Sequence, residues 1–211
     1  MTTRIGTRLS IFPLPGALLL PRAYLPLHIF EPRYRAMVSD ALARDRRIAM
    51  IQPLPSERED DPAPALFDIG CVGRIAQVEA LEDGRFNIVL EGLTRFRTVR
   101  EMDVATPFRQ IEAETFSADA EDPDPLPSVV RADVEAEAKR FALAHGFEIE
   151  WDEVGRLDDE ALVSGISQVV PFDVAAKQAL LEAPTLADRA DMLVEFLRFF
   201  GLNSGDEPTL Q

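Results

Sequence analysis

Up to Phe116 the apolar positions come in short runs separated by turn residues, a pattern that predicts β structure. Ser10 to Phe12, Ala17 to Leu20 and Tyr24 to Phe30 are extended candidates, punctuated by Pro13, Pro15, Gly16, Pro21 and Pro26. Proline lacks a ladder donor, so this density assigns it to strand starts, edges or bulges. Asp83 and Gly84 lie between Val72 to Leu81 and Arg85 to Glu91, and both tolerate positive φ, so a hairpin is expected there. In the returning strand Phe86, Ile88 and Leu90 share a face. Thr94 to Arg100 and Phe108 to Phe116 read as further strands. One helix interrupts them. It starts at Glu31 and Pro32, buries a stripe of Tyr34, Met37, Val38, Ala41 and Leu42, and ends near Arg44 and Asp45. Many short strands, frequent turns and one covering helix predict a small closed or nearly closed barrel rather than a parallel sheet.

After Ser128 the apolar period changes to that of a helix. Val130, Val134, Ala138 and Phe141 line a first helix that Gly146 stops, and Leu162, Ile166 and Val169 line a second that ends before Pro171. Asp173 is the expected N-cap of a third, through Leu181, and Thr185 with Asp188 forms a capping-box pattern ahead of a fourth. Leu186, Ala190, Leu193, Leu197 and Phe200 make the stripe of that last helix, which Gly201 closes. Two segments fit neither class: Pro53 to Ala65 reads as a loop, and Ser117 to Pro127 as an acidic connector. The boundary falls in the connector, giving a barrel unit over 1–117 and a helical unit over 118–211, with Asn203 to Gln211 as a frayed tail. The fold class is α+β.

Composition narrows the function classes. At 211 residues and 46% hydrophobic content the chain can bury a core, and no apolar run is long enough to cross a bilayer. The N-terminus carries no recognisable secretory cleavage site, and the lone Cys71 cannot form an internal disulfide, so a reducing cytoplasm is expected. His28 and His145, far apart in sequence, supply too few soft ligands for a zinc site, and no metal or cofactor is expected. The net charge of −15 is uneven: residues 1–110 hold 15 basic and 14 acidic side chains, residues 111–211 hold 7 and 23. That acidity opposes general nucleic-acid binding.

Several short strings resemble the N-terminal domain family of Lon proteases, including its stand-alone members. They are Phe12 to Gly16, Leu25 to Tyr34, Gly70 to Ile75, Asp83 to Phe86, Leu90 to Gly92, Arg95 with Phe96, Pro171 with Phe172, Lys177 to Glu182, and Arg189. They run in family order over nearly the whole chain. The resemblance implies a PUA-like barrel carrying a helical bundle, a role in capturing unfolded or tagged polypeptides or a protein partner, and no chemistry of its own. No Gly-rich nucleotide loop ending in Gly-Lys-Ser/Thr is present, the chain ends before a peptidase domain could begin, and neither Lys139 nor Lys177 sits in a Ser-Lys dyad motif.

No catalytic constellation is expected. The serines lack a nucleophile elbow, Cys71 reads as a buried strand thiol, and His28 reads as a hydrogen-bonded structural residue. The acid pairs Asp60–Asp61 and Asp158–Asp159 read as loop solvation and capping. The candidate polypeptide site is Phe30, Glu31, Arg33 and Tyr34, where an aromatic beside a fork of charge could hold an exposed segment. The alternative puts Phe30 and Tyr34 in the core, with Glu31 and Arg33 on a solvated first turn. A rival function is RNA or small-ligand binding by the barrel. Arg95 and Arg97 alternate onto one strand face as a phosphate track, with Arg100 and Arg109 nearby.

Overall fold

A computed structural model describes residues 7–55 and 63–202. Most of the expected loop Pro53 to Ala65, including Asp60 and Asp61, and the tail Asn203 to Gln211 lie outside the described residues. Contacts divide the chain into two units between Asp122 and Pro123.

The first unit is a mixed six-stranded sheet with one helix: β1 (Thr7–Pro13), β2 (Tyr24–Ile29), α1 (Pro32–Leu42), β3 (Arg47–Ile51), β4 (Ile69–Ala80), β5 (Phe86–Glu101) and β6 (Gln110–Thr115). The order is β2-β5-β4-β3-β1-β6, and β6 pairs again with β5, so hydrogen bonding runs from β5 around to β5. Among the described residues only the β1–β3 pairing is parallel. β5 serves two partners along its length. Its first half pairs with β2, Tyr24 opposite Glu91, and its second half pairs with β6, Phe96 opposite Thr115. The two strands read from the sequence as Arg85 to Glu91 and Thr94 to Arg100 are therefore one. Register shifts on β4 and β5 supply the bends that such a course requires. Inward side chains from five strands, Leu9, Ile11, Ile51, Val72, Phe96 and Ile111 among them, form one buried cluster.

Two local readings change. Ala17 to Leu20 is not a strand, although Leu18, Leu19 and Leu20 are buried. It lies against the sheet where Gly73 and Gly92 leave room: a Cβ at Gly92 would overlap the Leu20 carbonyl, and one at Gly73 would sit 2.8 Å from Leu19. The backbone then bonds to the sheet through Gly92, which donates to Ala23 at 2.9 Å and accepts from Arg22 at 2.8 Å. The second difference is β3, a strand that no periodicity in the sequence marks. Its run Ile48 to Ile51 is buried on both faces and so has no alternation to betray it. At the hairpin, Gly84 has φ 80° while Asp83 stays at negative φ and accepts from the Arg85 N–H at 3.1 Å.

The second unit is helical: α2 (Ser128–His145), α3 (Trp151–Val154), α4 (Asp159–Val169), α5 (Val174–Glu182) and α6 (Leu186–Leu202), with α6 touching α2, α4 and α5. Several of its helix ends follow the sequence. Gly146 caps α2 at φ 70°, Asp158 accepts from the Ala161 N–H and Asp173 from the Ala176 N–H at 2.7 Å each, and Thr185 and Asp188 bond reciprocally at 3.1 Å. Gly201 does not close the last helix, which continues through it. Phe172 joins Phe141, Phe196 and Phe200 in an aromatic core, with ring centroids 5.2 to 6.4 Å apart. Most buried charged groups here are bonded: Glu137 holds Arg140 and Arg198, Lys177 donates to the Gln168 carbonyl at 3.0 Å, and Arg189 to that of Leu180 at 2.9 Å, whereas the buried Ser164 hydroxyl of α4 has no hydrogen-bond partner among the described residues. Burial holds the Lys177 ammonium below the usual lysine pKa.

Candidate functional sites

The corner between β2 and α1 holds the four residues singled out in the sequence, but it does not treat them alike. Phe30 is 61% exposed. Its ring lies near that of His28, which bonds Asn87 at 2.7 Å and Arg85 at 3.1 Å on the surface. Tyr34 is buried, packed on Phe12 with centroids 4.2 Å apart and covered by the Arg33 guanidinium at 4.5 Å. Desolvation raises its pKa. Arg33 also donates to Glu31 at 2.9 Å. Pro32 is the first helical residue and no side chain caps it, so Glu31 is free to turn toward Arg33. Only Phe30 and the outer parts of Glu31 and Arg33 are offered to a partner.

Arg33 and Tyr34 line a cavity of about 250 Å³ with Glu101, Phe108 and Arg109. Arg109 reaches Glu101 through both ends of its guanidinium, at 2.6 and 2.7 Å, and donates to the Pro64 carbonyl at 2.8 Å. The hydrogen bond from Arg109 holds the Glu101 carboxyl below its ordinary pKa. Arg109 and Glu101 thus satisfy one another within the cavity.

Arg95 and Arg97 do not form a phosphate track. Arg95 is 4% exposed under the turn Ser117–Ala120, where Asp119 accepts its side chain at 2.8 to 3.1 Å and its backbone N–H at 2.7 Å. Phe116 packs against the guanidinium at 5.4 Å. Strand alternation does put both arginines on the outer face, but the chain folds back over one of them and leaves only Arg97 exposed. Arg100 is paired with Glu112 at 2.7 Å and Arg109 with Glu101, so those two charges are locally neutralised. Cys71 is fully buried in β4. Among the described residues no group of three or more His, Cys, Asp or Glu side chains converges as metal ligands, and no helix is long and apolar enough to cross a membrane.

The site the sequence did not single out is in the helical unit. An apolar groove of about 430 Å³ opens between α2, α4 and the segment from Phe147 to Leu157. Phe141, Ala142, Leu162 and Leu197 form its buried floor, and Phe147, Ile149, Trp151, Leu157 and Val169 its walls. Phe147 is 49% exposed and Val169 78%, so Val169 does not belong to the buried stripe expected of the second helix. It stands at the last turn of α4, just before the chain turns at Val170 toward Pro171. Large apolar side chains left in water around a concavity mark a contact surface. The signal was the run Phe147, Ile149, Trp151 and Val154, which fits neither helical period nor a long strand and so gave no element. Only the short helix α3, four residues long, organises it.

The model of the ATP-dependent protease La (LON) substrate-binding domain matches residues 8–198. Among curated relatives, Lon protease of Xanthomonas oryzae is 26% identical over 195 residues, covering 88% of this chain, and Lon protease 2 of Myxococcus xanthus is 27% identical over 196 residues, covering 90%. The chain spans only 22% and 23% of those proteins. Two solved structures share its fold: a Lon N-terminal domain protein from Xanthomonas campestris (TM-score 0.65, 21% identity, 90% of this chain and 98% of that one) and the N-terminal domain of the Mycobacterium avium complex Lon protease (0.64, 19%, 91% and 98%). Matched from Arg8 almost to the end of its last helix, the chain belongs to the Lon substrate-binding domain family.

Proposed function

We propose that this chain recognises unfolded or tagged polypeptides, or a protein partner, without transforming them, and that the groove of the helical unit is the principal surface that does so. The observation that carries this reading is the set of large apolar side chains, Phe147, Ile149, Leu157 and Val169, exposed around one concavity. A bound segment would bury their apolar area at roughly 25 cal/mol per Å². Phe30, Glu31, Arg33 and Tyr34 form a second, smaller contact in this reading, with Phe30 as its exposed anchor. RNA binding through Arg95 and Arg97 is set aside, since a guanidinium committed to Asp119 cannot meet a phosphate. The reading extends to the architecture. The ring of strand pairing is taken as a PUA-like barrel under one helix, the second unit as a helical bundle, and the pair as two subdomains. A non-catalytic role in a reducing cytoplasm is supported by the family and by the single buried thiol.

The test is fluorescence anisotropy of the full chain against a labelled, permanently unfolded model protein. Replacing Phe147 and Ile149 together by Ser is expected to weaken binding about tenfold, the loss of roughly half of two apolar burials. Phe30→Ala with Arg33→Glu should weaken it less. Failure of the native chain to bind, or a folded Phe147→Ser/Ile149→Ser variant binding like the native chain, overturns the assignment.

A further inference from the structure

The wall of the groove between Phe147 and Val154 alternates two kinds of side chain. Phe147, Ile149, Trp151 and Val154 line the apolar surface, while Glu150, Asp152 and Glu153 stand outside it in solvent. Glu148 also touches the groove. Among the described residues no ion pair engages these four carboxylates, whereas Arg131, Arg140 and Arg198 of the same unit are committed to Asp159 and Glu137. Lys139 lies over the Trp151 ring at 5.5 Å. From Pro123 to Gln211 the chain carries 18 acidic and 7 basic side chains, so nothing in this unit's net charge offsets the rim.

We propose that the groove selects apolar polypeptide segments flanked by lysine or arginine and discriminates against segments flanked by aspartate or glutamate, through Glu148, Glu150, Asp152 and Glu153 at its rim. This rests on the groove reading above. Apolar contact gives affinity to any hydrophobic segment; the unpaired carboxylates add attraction for a flanking cation and repulsion for a flanking anion. Each such contact is weak at an exposed rim, and the several of them act in the same direction. Being exposed, they are screened within about 10 Å at 0.1 M salt.

The experiment titrates the full chain with three fluorescent peptides: an apolar core of Leu, Phe and Ile between lysine pairs, the same core between aspartate pairs, and a Ser and Gly core between lysine pairs. At about 50 mM salt the first should bind roughly tenfold more tightly than the second, and at about 500 mM the gap should shrink to about twofold or less. The third should bind much more weakly than the first. In the variant Glu148→Gln/Glu150→Gln/Asp152→Asn/Glu153→Gln the preference should vanish while both apolar peptides still bind. Because these carboxylates sit at the start of α3, the salt dependence of the native chain provides a test that needs no variant. Indifference to the flanks, a preference that survives in the folded variant, or equal binding of the first and third peptides overturns the selectivity while leaving the groove intact. Absence of binding by all three overturns the groove as well.

Discussion

Phe96 and Phe147 are the same residue type put to opposite uses. Phe96, on β5, is fully buried in the cluster that five strands enclose, whereas Phe147, after α2, leaves about half its surface in water beside a groove. In the first unit hydrogen bonding closes on itself around an enclosed apolar cluster, and the large apolar side chains it leaves exposed, such as Tyr24, Phe30 and Val99, do not line the groove. In the second, Phe141 joins the aromatic core around Phe172 and also floors the groove, whose walls Phe147, Ile149, Leu157 and Val169 stay exposed. An exposed apolar side chain forgoes the stabilisation that burial would bring. Where many gather around one concavity, a partner can supply that burial. The difference separates residues that hold the fold from residues whose apolar surface stays in water.

Those two phenylalanines should respond differently to truncation. Phe96→Ala should lower the unfolding free energy by about 3 to 5 kcal/mol, and Phe147→Ala by less than about 1 kcal/mol, in urea denaturation followed by circular dichroism. Similar losses at both positions would mean that the groove wall is ordinary core. A somewhat smaller effect is expected where the first unit buries charge. Asp119→Ala removes the carboxylate that pairs with the buried Arg95 guanidinium, at a cost of about 3 kcal/mol. Arg95→Met combined with Asp119→Leu should recover most of that loss. A single Asp119→Ala variant as stable as the native chain would show that the pair contributes nothing.

The smallest effect is expected at an ion pair of the helical unit. The Arg131 guanidinium, and then the Leu126 N–H, hold Asp159 below the ordinary aspartate pKa. A carboxylate depressed in the folded state adds stability that is fully present above its unfolded value near 4 and is lost as pH falls through its native value. The contribution is less than about 1 kcal/mol, since both groups remain partly in water. Asp159→Asn should therefore destabilise the chain slightly at neutral pH, and the difference from native should shrink on titration toward pH 2 to 3. A gap that widens on acidification would refute the assignment.

The elements most legible in the sequence were those with local causes. Gly146, Asp158, Asp173 and Thr185 with Asp188 set helix ends through bonds to neighbours a few residues away, so their chemistry can be read without the fold. The hairpin at Gly84 and the stripe of α1 are of the same kind. What escaped was non-local. β3 is a short run buried on both sides, indistinguishable by period from a core helix segment, and Ala17 to Leu20 packs against the sheet because two glycines far along the chain make room. The site divided in the same way. Phe30 is as exposed as a contact residue must be, but Tyr34 is core, and Arg95 lies beneath a turn more than twenty residues away in sequence.

The sequence by itself determined the α+β class, the change from strands to helices, the caps and the family, because each is written in spacing or in short strings of residues. Which charges are spent and which apolar side chains are left over was decided only by tertiary structure. Arg95 and Arg97 are alike as a pattern, as are Phe96 and Phe147 as residues. Burial depends on what the rest of the chain brings against a side chain, and no local spacing carries that information.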